Sequence, residues 1–489
     1  MIRRALTIAS AGAALAAAAS GCGGSSAKSP LDDALGYLPK ATPVAVAVNT
    51  NLKDKQYSQL NNLLKRFPFY GLLKQRFLQG FSAGGTRTTF AQVKPLLGND
   101  LVVGFPRAGS GGPSSNDTVV AWKTKDGGKA ESLLKKDSQK IGSEEGATLY
   151  QTRSGNTTAL KGDVIVSAKS RALVDTALKQ RGKDDRLRED TFKSSLKGLP
   201  SDAIAKVYGN LQQLLSSSRA AQAKKVPWVG ALRTFGSTVT TAPDGLLVDF
   251  RAKTEGSLRA TQLPIAAGTT APQIVRRPNE VAVALRDPAQ TLRFAEQALE
   301  AATPQGALAK ATFNRALGVD IDRDLIGVLG SASAISVSLR GKVVARVDLK
   351  DASRFKKTLA TIAKNLPKAG SLARGTSLTP GPNGLYQLKR RTGRPVFLGV
   401  SGKRLVIGDD ARRAVKFGGE SASSATGAHG ALVSALDPRS IVTALLKQRG
   451  GAAGALFGGA FVAPLKDLSG YAESETSGLT ARFKLTVSP

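Results

Sequence analysis

The chain repeats itself, so any fold it adopts must use one succession of strands and helices twice. Pro43-Val-Ala-Val-Ala-Val-Asn49 has a counterpart in Asn279-Glu-Val-Ala-Val-Ala-Leu-Arg286, and each apolar run is followed by a helical stretch, Leu60 to Phe81 and Gln290 to Ala302. Val93-Lys-Pro-Leu-Leu-Gly98 matches Leu325-Ile-Gly-Val-Leu-Gly330, and Thr118-Val-Val-Ala-Trp-Lys123 pairs with Val343-Val-Ala-Arg-Val-Asp348. Helical patterns follow the latter two at Lys129 to Ile141 and Ala352 to Leu366. Thr148-Leu-Tyr-Gln151 echoes Gly384-Leu-Tyr-Gln387, and Leu246-Leu-Val-Asp-Phe250 echoes Leu479-Thr-Ala-Arg-Phe483. The paired landmarks Val44/Val281, Gly98/Gly330, Tyr150/Tyr386, Val164/Leu405, Leu214/Leu445 and Phe250/Phe483 lie between 231 and 241 residues apart. Collinear blocks at so constant an offset imply two tandem repeats. Hairpin signals such as Asp244-Gly245 and Ser477-Gly478 favour antiparallel pairing. The expected fold is α+β, each repeat a mainly antiparallel sheet with two or three helices. The expected organisation is residues 1–21 as a signal peptide, 22–30 as a lipidated Cys and flexible tether, 31–257 as repeat one, 258–274 as an Ala/Thr/Gly/Pro-rich linker, and 275–489 as repeat two.

Composition removes much chemistry before any motif is read. One Cys and one His among 489 residues exclude an intramolecular disulfide, a multi-Cys zinc site, a cysteine-ligated iron–sulfur cluster and a multi-histidine metal site. No metal or cofactor is expected.

The amino end assigns a location. Met1-Ile2-Arg3-Arg4 is a charged start, Ala5 to Ala19 is apolar, and Ser20-Gly21-Cys22-Gly23-Gly24 is built of small residues, the three parts of an export signal. Ala19-Ser20-Gly21-Cys22 resembles the lipobox of bacterial lipoproteins, with Ala19 standing where Leu is usual. The resemblance implies cleavage between Gly21 and Cys22 and lipidation of the Cys22 sulfur. Two or three acyl chains, at ~0.8 kcal/mol per buried methylene, hold a protein stably on a membrane. The expected localisation is therefore extracytoplasmic, anchored to the bacterial cell membrane by a lipidated N-terminal cysteine.

The motifs Tyr37-Leu-Pro39 before the strand Val44 to Val48, the turns Leu97-Gly98 and Leu329-Gly330, and the approach Asp320-x-x-x-Asp324 carry a second resemblance. The chain resembles the bacterial extracytoplasmic proteins grouped as domain-of-unknown-function 3352, over most of its mature length. Those motifs are apolar strands and turn residues, and the family brings no established activity or site residue.

Three patterns invite a catalytic or metal reading. Gly80-Phe-Ser-Ala-Gly84 fits the G-x-S-x-G of the hydrolase elbow, with His429 downstream. The elbow needs a strand before its serine and a helix after it, whereas here the helical pattern comes first. Ser-x-x-Lys occurs at Ser132, Ser194 and Ser353 without the S-D-N and K-T-G partners of penicillin-binding enzymes. Asp320-Ile-Asp322-Arg-Asp324 opens like a calcium loop, but Leu325 replaces the sixth-position Gly and Ser331 the twelfth-position Glu. A helix-start role suits those carboxylates better. No enzymatic activity is expected.

Charge is the remaining signal. Seventy Lys and Arg against 36 Asp and Glu give +34, shared evenly by the two halves of the mature chain. Local clusters stand at Lys179, Arg181, Lys183, Arg186 and Arg188, and at Lys389, Arg390, Arg391, Arg394, Lys403 and Arg404. Neither interleaves the aromatics that stack on bases, so no nucleic acid is expected. These eleven residues are the candidate contacts for a polyanion, either anionic lipid or a cell-wall polymer. The sequence thus points to a non-enzymatic binding or scaffolding module for anionic envelope components or partner proteins. A carrier holding a lipid or other apolar ligand in a sheet–helix cavity is the second expectation, and a serine hydrolase using Ser82 and His429 the third.

Overall fold

The structure is a computed structural model, and it describes residues 29–72, 75, 88–109, 112–216, 222–302, 306–370, 374–425, 427–443 and 462–488. The expected signal peptide, Gly21, Cys22 and Ser82 lie outside them. The fold mixes helices with extensive antiparallel sheet, and its chain divides into two compact units. The first comprises residues 1–217, 233–253 and 487–489, and the second residues 218–232 and 254–486.

In the first unit, helix α1 (Pro30–Leu35) leads to β1 (Val44–Val48), α2 (Lys55–Lys65), β2 (Leu101–Phe105), β3 (Val119–Lys123) and α3 (Gly127–Asp137). Strands β4 (Ser138–Glu144), β5 (Ala147–Thr152), β6 (Thr157–Lys161) and β7 (Val164–Ala168) form a meander. Helices α4 (Arg171–Arg181) and α5 (Glu189–Ser195) and strands β8 (Ala205–Asn210), β9 (Leu232–Ala242) and β10 (Gly245–Thr254) complete the series. Antiparallel pairing runs β9–β8–β1–β2–β3–β7–β6–β5–β4.

The second unit holds β11 (Glu280–Arg286), α6 (Pro288–Ala302), α7 (Gly306–Leu317), β12 (Leu329–Ser338), β13 (Val343–Leu349) and α8 (Ala352–Asn365). There follow β14 (Ser377–Pro380), β15 (Tyr386–Lys389), β16 (Val396–Ser401), β17 (Arg404–Gly408), α9 (Ala411–Gly419), β18 (Leu432–Leu436), β19 (Leu465–Glu475) and β20 (Gly478–Val487). Pairing runs β19–β18–β11–β12–β13–β17–β16–β15–β14, all antiparallel. The two orders read the same way, strand for strand.

Alternation puts one face of each sheet into a core. In the first unit the register lines up Ala47, Val102, Ala121 and Val166 across β1, β2, β3 and β7. This row is almost wholly buried against Leu31, Leu35 and Leu38 and against Val174, Ala177 and Leu178 of α4. Full burial of each larger apolar side chain is worth roughly 2 kcal/mol. Helix α1 is short but well specified. The Ser29 hydroxyl caps it by accepting from Asp32 N at 3.1 Å, Pro30 opens the first turn, and Leu31, Ala34 and Leu35 make one buried stripe. Gly104 in β2 admits Leu38, because a Cβ there would stand 2.3 Å from a Leu38 methyl.

Three expectations change. The helical stretch expected from Leu60 begins at Lys55 and breaks after Lys65, where residues 66–69 turn. The helical pattern to Ile141 ends at Asp137, and Ser138–Glu144 becomes a strand whose carbonyls and amides pair with β5. The expected linker 258–274 is packed into the second unit: Leu263 and Ile274 are fully buried, and Ile274 bridges to Ser423. Its scattered apolar residues outweigh its loop-like composition.

Candidate functional site

The two basic clusters fold into different environments. In the first, Lys179 pairs with Glu144 at 3.3 Å, and Arg188 with Asp184 at 3.8 Å. Arg181 donates to Asp33 at 2.7 Å and lies over the Tyr37 ring, while buried Arg186 reaches Asp32 at 3.4 Å. Lys123 adds a second donor to Asp33, at 2.6 Å. Arg181 and Arg186 therefore clamp the acidic first turn of α1. Of the five, exposed Lys183 is the one with no ion pair among the described residues.

The second cluster splits. Lys389, Arg390, Arg391 and Arg394 are all exposed at the β15–β16 hairpin, with no ion pair to a described residue. Ser377 opposite Lys389 brings exposed Arg374 to the same end of the ribbon. Lys403 and Arg404 stand at the other end of β16, five strand steps or ~17 Å away. The hairpin belongs to a wider feature that run-by-run reading missed. From Ala352 to Gly408 the chain carries twelve Lys and Arg and not one Asp or Glu, a signal that a count of acid-free length would have shown.

Arg404 joins a different site. The second unit's register aligns Ala284, Ala334, Arg346 and Val406 across β11, β12, β13 and β17, and α9 packs on that face through Ala411, Ala414 and Phe417. Where α9 ends at Gly419 a cavity of about 540 Å³ opens. Ala332, Ser333 and Ala334 leave it room, and Arg286, Arg346 and Arg404 line it from three strands, with Asp348 and Glu420 also on the wall.

Main-chain carbonyls hold each guanidinium by part of its donor set. Arg346 Nη1 donates to Phe417 O at 3.2 Å, to Gly418 O at 3.4 Å and to Glu420 O. Arg404 Nη1 donates to Gly418 O at 2.6 Å and its Nε to Asp348 at 3.0 Å. Arg286 donates through Nε to Thr270 O at 2.8 Å and through Nη2 to the carbonyls of Ala267 and Gly268. Arg346 is 6% exposed and forms no salt bridge with a described residue. Burial, and then the neighbouring Arg404 charge, lower the affinity of Arg346 for its proton.

The catalytic and metal patterns are placed as follows. His429 is exposed, edge-on to Tyr471 at 5.4 Å. Ser132 donates to Gly128 O while Lys135 pairs with Glu131 at 2.8 Å. Asp320 caps the turn Ile321–Ile326 by accepting from Arg323 N. Asp324 lies between Arg323 (3.0 Å) and Arg354 (2.7 Å). The hydrogen bond from Arg323, then those from Asp320 N and Arg354, hold its carboxyl far below the usual carboxylate range. Among the described residues no three or more His, Cys, Asp or Glu gather to hold a metal.

No helix among the described residues is long and apolar enough to cross a membrane. A second groove, of about 720 Å³, shares Asp348, Arg404 and Gly419 with the first and is mixed in character, adding Ser401 and Lys403 together with Leu349 and Val415. No family model matches the chain, and no curated protein matches it in sequence. Among solved structures it is similar to crystal form I of TP0453, with 9% identity and a TM-score of 0.26 over 48% of this chain and 82% of that one. Crystal form III of TP0453 gives 8%, 0.24, 46% and 81%. At such scores the likeness has no bearing on function.

Proposed function

We propose that this is a lipid-anchored extracytoplasmic module, non-enzymatic, built by duplication of one α+β unit, that binds anionic components of the bacterial envelope through the second unit. Membership of the domain-of-unknown-function 3352 family is part of that reading and rests on the strand and turn residues named above. The observation that carries the binding surface is the β15–β16 hairpin, whose Lys389, Arg390, Arg391 and Arg394 are exposed and lack ion-pair partners among the described residues. Basic groups near an anionic surface gain on the order of 1 kcal/mol each, decaying within ~8–10 Å at physiological salt. The first cluster contributes less, because Asp32, Asp33, Glu144 and Asp184 compensate it.

Two experiments test this reading. The full chain with Cys22→Ser, which separates surface binding from any lipid anchor, is sedimented with phosphatidylglycerol vesicles and with purified wall polymer at low and high salt. Binding should weaken at least tenfold between the two, and equally when the four hairpin cations are replaced by Gln. Binding that ignores both changes overturns the surface. Palmitate labelling of wild type against Cys22→Ala tests the anchor, which fails if both chains label alike.

A further inference from the structure

We propose that the arginine-lined cavity at the end of α9 is a binding site for a small ligand carrying a phosphate or carboxylate group, separate from the hairpin surface. The two units supply the argument. Register places Arg346 where the first unit has Ala121, since Ala121 pairs with Val102 and Val166 as Arg346 pairs with Ala334 and Val406. By the same register Arg404 stands at the place of Val164, and Asp348 at that of Lys123. In the first unit this face is closed by α1, whose Asp33 accepts from Lys123 and Arg181. In the second, α9 covers the row and the space past its end stays open, with Arg346 and Arg404 standing where the first unit has Ala121 and Val164, and Arg286 at the rim.

A buried cation without a salt-bridge partner is costly, and the Asp348 and Glu420 carboxylates near Arg346 offset its charge without pairing with it directly. Capping the carbonyls of α9 would need only one exposed basic side chain, worth at most about 1 kcal/mol. Here two arginines share that task, and Arg346 is buried. The capping also fixes their orientation, because Arg346 Nη1 and Arg404 Nη1 both point to carbonyls near Gly418. Arg346 Nε and Nη2, Arg404 Nη2 and Arg286 Nη1 make no hydrogen bond to a described residue. Pinned guanidiniums with free N–H edges suit planar or tetrahedral oxyanions, which accept paired donors. An anion there would also screen the repulsion between Arg346 and Arg404. The volume accommodates a small molecule rather than a polymer segment.

The test is calorimetric titration of the full chain at low ionic strength with inorganic phosphate, glycerol 3-phosphate and succinate. Saturable one-site binding of at least one probe is expected, and the stronger of the phosphate and carboxylate arms identifies the group. Arg404→Gln and Arg346→Leu should each weaken it tenfold or more, and Arg286→Gln, at a half-buried position, covers the event that Arg346→Leu unfolds. The double variant Lys53→Gln/Lys65→Gln removes the same charge as two of these changes together but lies in the first unit, and should leave binding within twofold. The proposal is overturned if no probe saturates, or if the lysine variant loses as much as the arginine ones. Vesicle binding by the hairpin is read separately, so either proposal can fail alone.

Discussion

The same strand order covers its inward-facing row in two ways. In the first unit the row Ala47, Val102, Ala121, Val166 is apolar and covered by α1, a segment the chain supplies from its own amino end. In the second, Ala284, Ala334, Arg346, Val406 differs from it by one charged residue, and the space past α9 remains open. The contrast teaches that one position in a sheet can either complete an apolar core or carry a charge beside an open space, and that the difference shows in a single residue of the row.

The comparison can be broken at several points, and each unit holds a tryptophan, Trp122 in the first and Trp228 in the second, whose fluorescence reports its unfolding in urea. The largest effect should come from Ala121→Arg, which puts the second unit's charge beneath α1 with no acceptor. A loss above about 4 kcal/mol is expected, and a normal Trp122 transition would show that the two rows are interchangeable. Next comes Asp324→Asn, which removes the carboxylate that accepts from Arg323, Arg354 and Asp320 N and should cost roughly 2 kcal/mol at pH 7, the two arginines being solvated enough to turn to water. Because the folded carboxyl titrates below its unfolded value, its contribution is complete above about pH 4 and fades as pH falls further. Wild type and variant should therefore converge in acid, and a pH-independent gap in the Trp228 transition contradicts the pairing.

Asp33→Asn leaves Lys123 and Arg181 without their shared carboxylate. It should cost about 2 kcal/mol, because Lys123 and Arg181 are left only partly solvated. Arg346→Leu makes the second unit's row resemble the first. Replacing a buried charge by an apolar group is often neutral or stabilising, so a change within about 1 kcal/mol is expected, and a loss of 3 kcal/mol or more would mean that the arginine is structural. The smallest effect belongs to Arg390→Gln/Arg391→Gln, which should shift stability by no more than ~0.5 kcal/mol while reducing vesicle sedimentation.

Much of the architecture was legible because strands announce themselves by short apolar runs and turn residues. The runs at Val44, Val119, Val164, Val281, Val343 and Arg404 all became strands. The cavity was not legible in the same way. Arg286, Arg346 and Arg404 are 60 and 58 residues apart in sequence, and only pairing register brings them together. One trace was present: Val343-Val-Ala-Arg-Val-Asp348 puts an arginine where its partner block Thr118-Val-Val-Ala-Trp-Lys123 puts an alanine. The clamp on α1 was hidden for the opposite reason. A local run such as Arg181 to Arg188 reads as a surface patch until acids some 150 residues earlier are found to face it.

The first unit also contains residues 487–489. Val487 is buried and donates to Asp244 O at 2.8 Å, and Arg66 donates to the carbonyls of Val487, Ser488 and Pro243. The first unit is therefore discontinuous, and Arg66 and Asp244 hold a segment more than 240 positions further along the chain. Replacing residues 487–489 with a Gly/Ser run should be felt by Trp122, several hundred positions upstream, before it is felt by Trp228.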